Sequence, residues 1–334
     1  MRKLVCVAIG SAMALSAQAH DKIGEKDGLT GYGFLGVSTS LMETNTTATI
    51  GGTDVGDRRI GSLTRSPDSQ GYGGLVPAFN LTYTFAGSRT QIFGGTELED
   101  FLSQDSTFGL GVRQGAGSLG NLRVSLLAGT RSEVWQDPYV VNASRRKTDR
   151  KSSGVRLGWE HILESDFAVT LSNRKIKLDD ELSGTALGLT AAQSKLLVRE
   201  GNQKKADLSY RWMPNANHVL IPTISVIDYD LDGEAMAMKG TQLELNYAYL
   251  GLQDWELIAS GLVGSLESNK TNPIYGKKQE LDRMGVSLGA TYKEPFGLKD
   301  WKASATLNYG QEDSNIDFYN TRIKSLTVGM LYSF

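Results

Sequence analysis

The chain has 334 residues, with 38 Gly against 7 Pro, a formal net charge of -2, and 35 Lys and Arg set against 37 Asp and Glu. That balance excludes the strongly basic surface on which nucleic-acid binding rests, and few prolines with many glycines suits strands and turns better than a disordered tract. Mean hydropathy of -0.26 looks like a soluble protein, but a barrel strand that alternates apolar-out with polar-in hides its lipid face from any average.

The first residues read as an export leader. Arg2 and Lys3 precede an apolar run from Leu4 to Leu15, and Ala17-Gln18-Ala19 follows as a small-x-small cleavage pattern. Residues 1–19 are therefore expected to be removed, leaving His20 as the mature start and 20–30 as a short periplasmic segment before a barrel over 31–334. Cys6, the one cysteine, goes with the leader, so no disulfide or thiol chemistry is expected. Beyond residue 20 no apolar run approaches the roughly 18 residues of a spanning helix. If the chain crosses a membrane it must do so as a closed sheet, because hydrocarbon offers no partner to an unpaired backbone group.

Period-two alternation then runs almost without interruption. It is weak over 32–41 and 90–97. It is clear in Leu75, Pro77, Phe79, Leu81, Tyr83 and Phe85, and recurs over 108–112, 122–128, 155–159, 167–171 and 206–212. Residues 218–229 are apolar on both faces and leave their lipid face unassigned. Strands follow over 242–249, 255–263, 283–292 and 301–309. The last places Leu326, Val328, Met330, Tyr332 and Phe334 on one face, with Leu331 the one apolar residue on the other. An alternating strand that ends in an aromatic residue resembles the signal read by the barrel-assembly machinery of outer membranes.

The expected fold is all-β, a transmembrane antiparallel up-and-down barrel of about 14 strands, with 12 or 16 as alternatives and a short helix in one external loop. Connections alternate between short ones, as at 86–89 and 164–166, and long ones, as at 43–74, 131–152, 177–203 and 267–280. Short periplasmic turns and long external loops are the asymmetry of such barrels, and both termini then fall in the periplasm of a Gram-negative cell. Trp159, Trp212, Trp255 and Trp301 all lie beside short turns, the expected level of an interfacial aromatic girdle. In the loop 177–203, Thr190-Ala-Ala-Gln193 is a capping box, with Gly201 as the expected end of its helix.

Chemistry-bearing residues favour passage or binding over catalysis. Arg123, Arg156, Glu160, Arg174, Asp207, Arg211, Glu244, Glu256, Arg283 and Lys302 fall on the inward face of their strands. Rings of charge set selectivity in water-filled pores, but the same groups can pair across a lumen and close it. Arg145, Arg146, Lys147 and Arg150 form an external basic run. It can bind lipopolysaccharide phosphates, focus anionic solutes at the mouth, or simply keep a loop soluble. His161 and His218 sit beside periplasmic turns, away from the outer rim, and no triad is indicated. Asp228, Asp230 and Asp232 fit a calcium loop poorly. No metal, cofactor or nucleic acid is implied; the expected partners are outer-membrane lipid, lipopolysaccharide, the assembly machinery and a small solute.

Three loop segments, Trp135-Gln-Asp-Pro-Tyr139, Asn272-Pro-Ile-Tyr-Gly-Lys277 and Ser314-Asn-Ile-Asp-Phe-Tyr319, are too apolar to wave in water and should pack together near the mouth. With Leu189-Thr-Ala-Ala-Gln193 they resemble a domain-of-unknown-function family of Gram-negative proteins, over about Gly31 to Phe334. The resemblance implies an outer-membrane barrel and no catalytic residues. Three readings stay open: a porin-like channel or transporter for small solutes, a plugged surface barrel that binds a ligand or adheres, and, disfavoured by the histidine positions, an enzyme.

Overall fold

A computed structural model describes residues 23–334 except 101, 103, 104 and 131; the leader, Cys6 and His20 lie outside the described residues. The chain runs through β1 (Gly28–Glu43), β2 (Thr47–Ile50), β3 (Thr53–Asp54), β4 (Ser69–Phe85), β5 (Thr90–Asp100) and β6 (Asp105–Gly115). It continues through β7 (Asn121–Gly129), β8 (Ser132–Trp135), β9 (Lys147–Glu160), β10 (Phe167–Leu178), helix α1 (Ala191–Lys195), β11 (Gly201–Tyr210) and β12 (Trp212–Asn215). It ends with β13 (His218–Leu231), β14 (Met238–Tyr249), β15 (Trp255–Ser268), β16 (Glu280–Lys293), β17 (Trp301–Ser314) and β18 (Thr321–Ser333). Fourteen of these strands form a closed antiparallel ring, in which β1 pairs with β4 on one side and β18 on the other. The other four, β2, β3, β8 and β12, are short additions.

Alternation decides which face each strand shows. In β7, Leu122, Val124 and Leu126 are 51%, 54% and 63% exposed, while Arg123, Ser125 and Leu127 between them are buried. Apolar groups this exposed, all round the ring, are stable in hydrocarbon and not in water, which makes the barrel a transmembrane one. The ambiguous segment 218–229 resolves in β13: Pro222, Ile224 and Val226 face outward, and Val219, Ile221, Thr223, Ser225 and Ile227 face inward. Toward the outer end of that inner face, Ile227 packs against Met238, Leu266 and Leu281.

The girdle aromatics are outward and paired across strands. Trp255 meets Tyr292 at 4.9 Å, Trp301 meets Tyr332 at 5.2 Å, and Phe167 meets Tyr210 at 4.7 Å between ring centroids. Trp159 donates its indole N–H to the Leu119 carbonyl at 2.7 Å, tying one turn to the next. Such rings suit a boundary that is apolar on one side and wet on the other.

Two local expectations change. The capping box of α1 forms, with Thr190 N donating to Gln193 Oε1 at 3.0 Å and Gln193 N to Thr190 Oγ1 at 3.3 Å. The helix then stops at Leu196, not at Gly201. Gly201 instead opens β11 at φ 141°, where a Cβ would lie 2.5 Å from the Asp230 carbonyl oxygen. Leu331 is no misfit either: it is fully buried inside the barrel against Tyr32 and Phe34.

Candidate functional site

The inner wall from β5 to β10 carries an arginine-rich network. Glu97 on β5 sits between two guanidinium groups, Arg123 at 2.8 Å and Arg156, and all three are buried. Arg113 pairs with Glu160 one level nearer the periplasm. Toward the outside, Arg174 reaches Asp105 at 2.7 Å and Gln203, with Arg150 at 3.7 Å from the same carboxylate. Arg123 also lies over the Phe93 ring at 4.4 Å, a favourable cation–π geometry. Antiparallel register and period-two spacing turn these residues into one surface, because residues i and i+2 of neighbouring strands share the inner face. Small residues opposite the long ones make the room: a Cβ on Gly111 would lie 2.5 Å from the Phe93 ring.

Across the lumen the charges are paired more locally. Arg283 donates to Glu312 at 2.9 Å and to Gln242 at 3.1 Å, Lys302 meets Glu256 at 3.0 Å, and Glu244 accepts from Asn246 at 2.7 Å. Asp207 meets Lys205 at 3.1 Å and accepts from Ser225. Arg211 is half-buried at the periplasmic end of β11, its backbone N–H on the Asp166 carbonyl. One stretch of the inner wall, on β1, β18 and β4, is apolar. Tyr32, Phe34 and Leu331 are buried together there beside Val76 and Ala78. The Phe34 ring covers the facing pair Gly36 and Gly329, the way an aromatic side chain protects cross-strand glycine.

Six external loops meet in one hydrophobic core over the mouth. Ile60, Tyr139, Leu197, Ala235, Ile316, Phe318 and Tyr319 are buried there, with Ile274 and Tyr275 against them. The Tyr139 and Tyr319 hydroxyls lie 2.6 Å apart, and Asn272 donates to Tyr319 at 2.8 Å. Burial pushes the Tyr319 hydroxyl up to about 12 and that of Tyr139 well above the ordinary 10. Asp137 binds the loops carrying α1 and Tyr139 together, accepting from the backbone N–H groups of Tyr139, Gly184 and Ala186. β2 also pairs with β8, zipping the loop after β1 and the loop before β9 into a small sheet. The apolar loop segments thus converge on the mouth.

The basic run does not act as one patch. Arg145 is fully buried, over the Trp135 ring at 4.3 Å, and donates to the carbonyls of Asn45 at 2.7 Å, Pro138 and Asp57. Burial pushes its pKa down to about 10, against the opposing pull of Asp57, so it keeps its charge at neutral pH. Lys147 meets Asp54 and Glu133, Arg150 meets Asp105, and Arg146 is exposed. A charge surrounded by carbonyls under a loop core is a clamp for that core, not a contact for phosphate. Elsewhere, Asp230 and Asp228 pair with Lys204 and Lys239. His218 shares a 2.8 Å hydrogen bond with Tyr247, and His161 sits in a turn at φ 50°. The assembly-signal face, Leu326, Val328, Tyr332 and Phe334, is exposed, with Met330 half-buried.

Sequence reading missed Glu97, Phe93, Asp105 and Phe34. Glu97 and Phe93 lie on a strand whose alternation is broken by Gly94 and Gly95, yet Gln91, Phe93 and Glu97 do share one parity, which was the available signal.

Fold and site together define a transmembrane barrel with a charged lumen and a loop-packed outer end. The chain belongs to the family described as "Protein of unknown function (DUF2860)", which it matches over residues 33–333. Among curated proteins no sequence matches it. Its fold is similar to that of the CymD monoaromatic hydrocarbon channel, at 10% identity and a TM-score of 0.52, covering 97% of this chain and 93% of that one. It is also similar to the Pseudomonas putida toluene transporter TodX, at 11% identity and a TM-score of 0.47 over 97% and 92% of the two chains. A third likeness is to a loop-deletion mutant of OmpT, an outer membrane protein of Vibrio cholerae, at 13% identity and a TM-score of 0.41 over 92% and 99%. At these identities the likeness is one of fold.

Proposed function

We propose that this chain is an outer-membrane channel or transporter for small solutes, with its outer mouth held shut by the packed loops in the state described. The observation that carries the reading is the combination of a charged inner wall with one loop core that spans the mouth. A barrel of this strand number lies between narrow eight-stranded barrels and porins with an aqueous channel. A wall bearing Arg113, Arg123, Arg156 and Arg174 belongs to an interior that admits polar contents. The loop core then serves as a gate: its strength is apolar packing around Phe318 and Tyr139, which can be undone without breaking a barrel strand. The likeness in fold to CymD, a monoaromatic hydrocarbon channel, is consistent with this use of the barrel.

Planar-bilayer recording tests the proposal. Wild-type protein should pass little current, and Phe318→Ala, which empties the centre of the loop core, should raise the open fraction. The same silence from both proteins, joined to tight binding of a soluble ligand by the intact loops, would instead identify a plugged surface receptor.

A further inference from the structure

The ring has one weak seam. Between β4 and β5 the backbone ladder runs only from Asn80 opposite Gly95 to Phe85 opposite Thr90. On its other side β4 is paired with β1 along its whole length, from Ser69 to Thr84. Among the described residues, the outer half of β4 has β1 as its one ladder partner in the ring. The ladder stops where a side chain replaces the backbone: Phe79 N donates to Thr96 Oγ1 at 3.0 Å. Past that point β5 stays paired with β6 but changes register between Leu98 and Asp100. Leu102, just beyond it, is buried with Ile323 of β18, and Leu98 of β5 and Leu262 of β15 pack against them.

An open strand edge at hydrocarbon depth is tolerated only where it lines a cavity or is otherwise covered. The residues at this edge suit exposure. N–H groups two apart on a strand point to the same side, so Pro77 turns the same edge toward β5 as Phe79 does. Proline has no N–H to lose, and within sheets it belongs on edges for that reason. Leu75 and Phe79 show apolar side chains to the outside here, at 72% and 38% exposure. On the inside the edge gives onto Val76 and Ala78, which continue into the apolar wall of Tyr32, Phe34 and Leu331. Beside that wall, two residues out along β5 from the Gly95 that faces Asn80, stands Glu97 with its partners Arg123 and Arg156, a charged flank that turns an apolar molecule back toward β4 and β1.

We propose that the outer half of the β4–β5 seam is a lateral portal, through which small apolar molecules pass between the lumen and the outer leaflet. This rests on the channel reading above and names its solute class. The route runs from mouth to apolar wall to bilayer along β4 and β1, and it skirts the charged inner face of β5 to β10.

The test places cysteines at Pro77 and Leu98, the positions that would face each other outwardly if the ladder continued. The chain's one native cysteine, Cys6, is in the predicted leader. A control pair at Val124 and Leu157 spans a paired seam. Mild oxidation should join the control pair and leave P77C/L98C open, because a disulfide does not form across widely separated Cα atoms. A short bis-methanethiosulfonate bridge should then join it. Entry of naphthalene into Gram-negative cells making P77C/L98C should fall, on bridging, to that of cells without the protein, and thiol reduction should restore it. Current through purified protein carrying Phe318→Ala should be untouched by the bridge. Ready disulfide formation at P77C/L98C, or naphthalene entry indifferent to the bridge, would overturn the portal. Current without naphthalene entry in any form would overturn the portal and leave the channel standing, whereas loss of both would remove both.

Discussion

Replacing Glu97 by Gln keeps the shape of the side chain and removes the charge that Arg123 and Arg156 share. At 2.8 Å and an effective dielectric of about 20, one such pair attracts by roughly 6 kcal/mol before desolvation is counted. Desolvation offsets much of that in the intact protein, but once one partner is lost the buried cations remain, and the loss is typically about 3–5 kcal/mol. All three side chains are buried, at 6% exposure for Glu97 and Arg123 and 5% for Arg156, so solvent screening does not reduce the figure greatly. Urea unfolding followed by tryptophan fluorescence should show a lower midpoint for E97Q. Lys151→Ala, which breaks an exposed pair with Asp179, should leave it unchanged. The double variant E97Q/R156Q should recover part of the loss, because it removes one of the cations that E97Q leaves behind. A wild-type midpoint for E97Q, or a double variant as unstable as the sum of the singles, would refute the view that this network holds the inner wall.

Two further outcomes concern the gate and the closure of the ring. The raised hydroxyls of Tyr139 and Tyr319 favour the packed loop core as long as they stay neutral. Their contribution is complete below about pH 10, the ordinary value of a solvent-exposed tyrosine; that of Tyr319 is lost as pH rises through about 12, and that of Tyr139 also persists well above the ordinary value. Tyrosinate absorbance should therefore show a late step that Tyr319→Phe reduces; a single step near the ordinary value would contradict the burial of the cluster. Gly329→Ala would set a Cβ 2.5 Å from the Phe34 ring and 2.6 Å from the Gly36 Cα, and should lower unfolding stability by about 1–3 kcal/mol. A neutral result in urea unfolding would mean that β1 and β18 can separate at that point without loss.

Alternation alone marked the strands, because a side chain on a strand has only two faces and a membrane barrel demands apolar groups on one of them. From that came the antiparallel ring, the outward girdle of Trp159, Trp212, Trp255 and Trp301, and the parity that put Arg123, Arg156 and Arg283 inside. The capping box of α1 was equally local, since its two hydrogen bonds join residues three apart. Parity could not say which inner groups meet. Glu97 lies 26 residues from Arg123 and 59 from Arg156, and only register, shear and the inward-facing glycines bring them into contact. Nor could it show that Arg145 is drawn under the loops, since that depends on carbonyls of Asn45 and Asp57 supplied by another loop. The seam beside Pro77 was likewise beyond reach, because pairing is a property of two strands, and where the ladder between β4 and β5 ends is set by both of them.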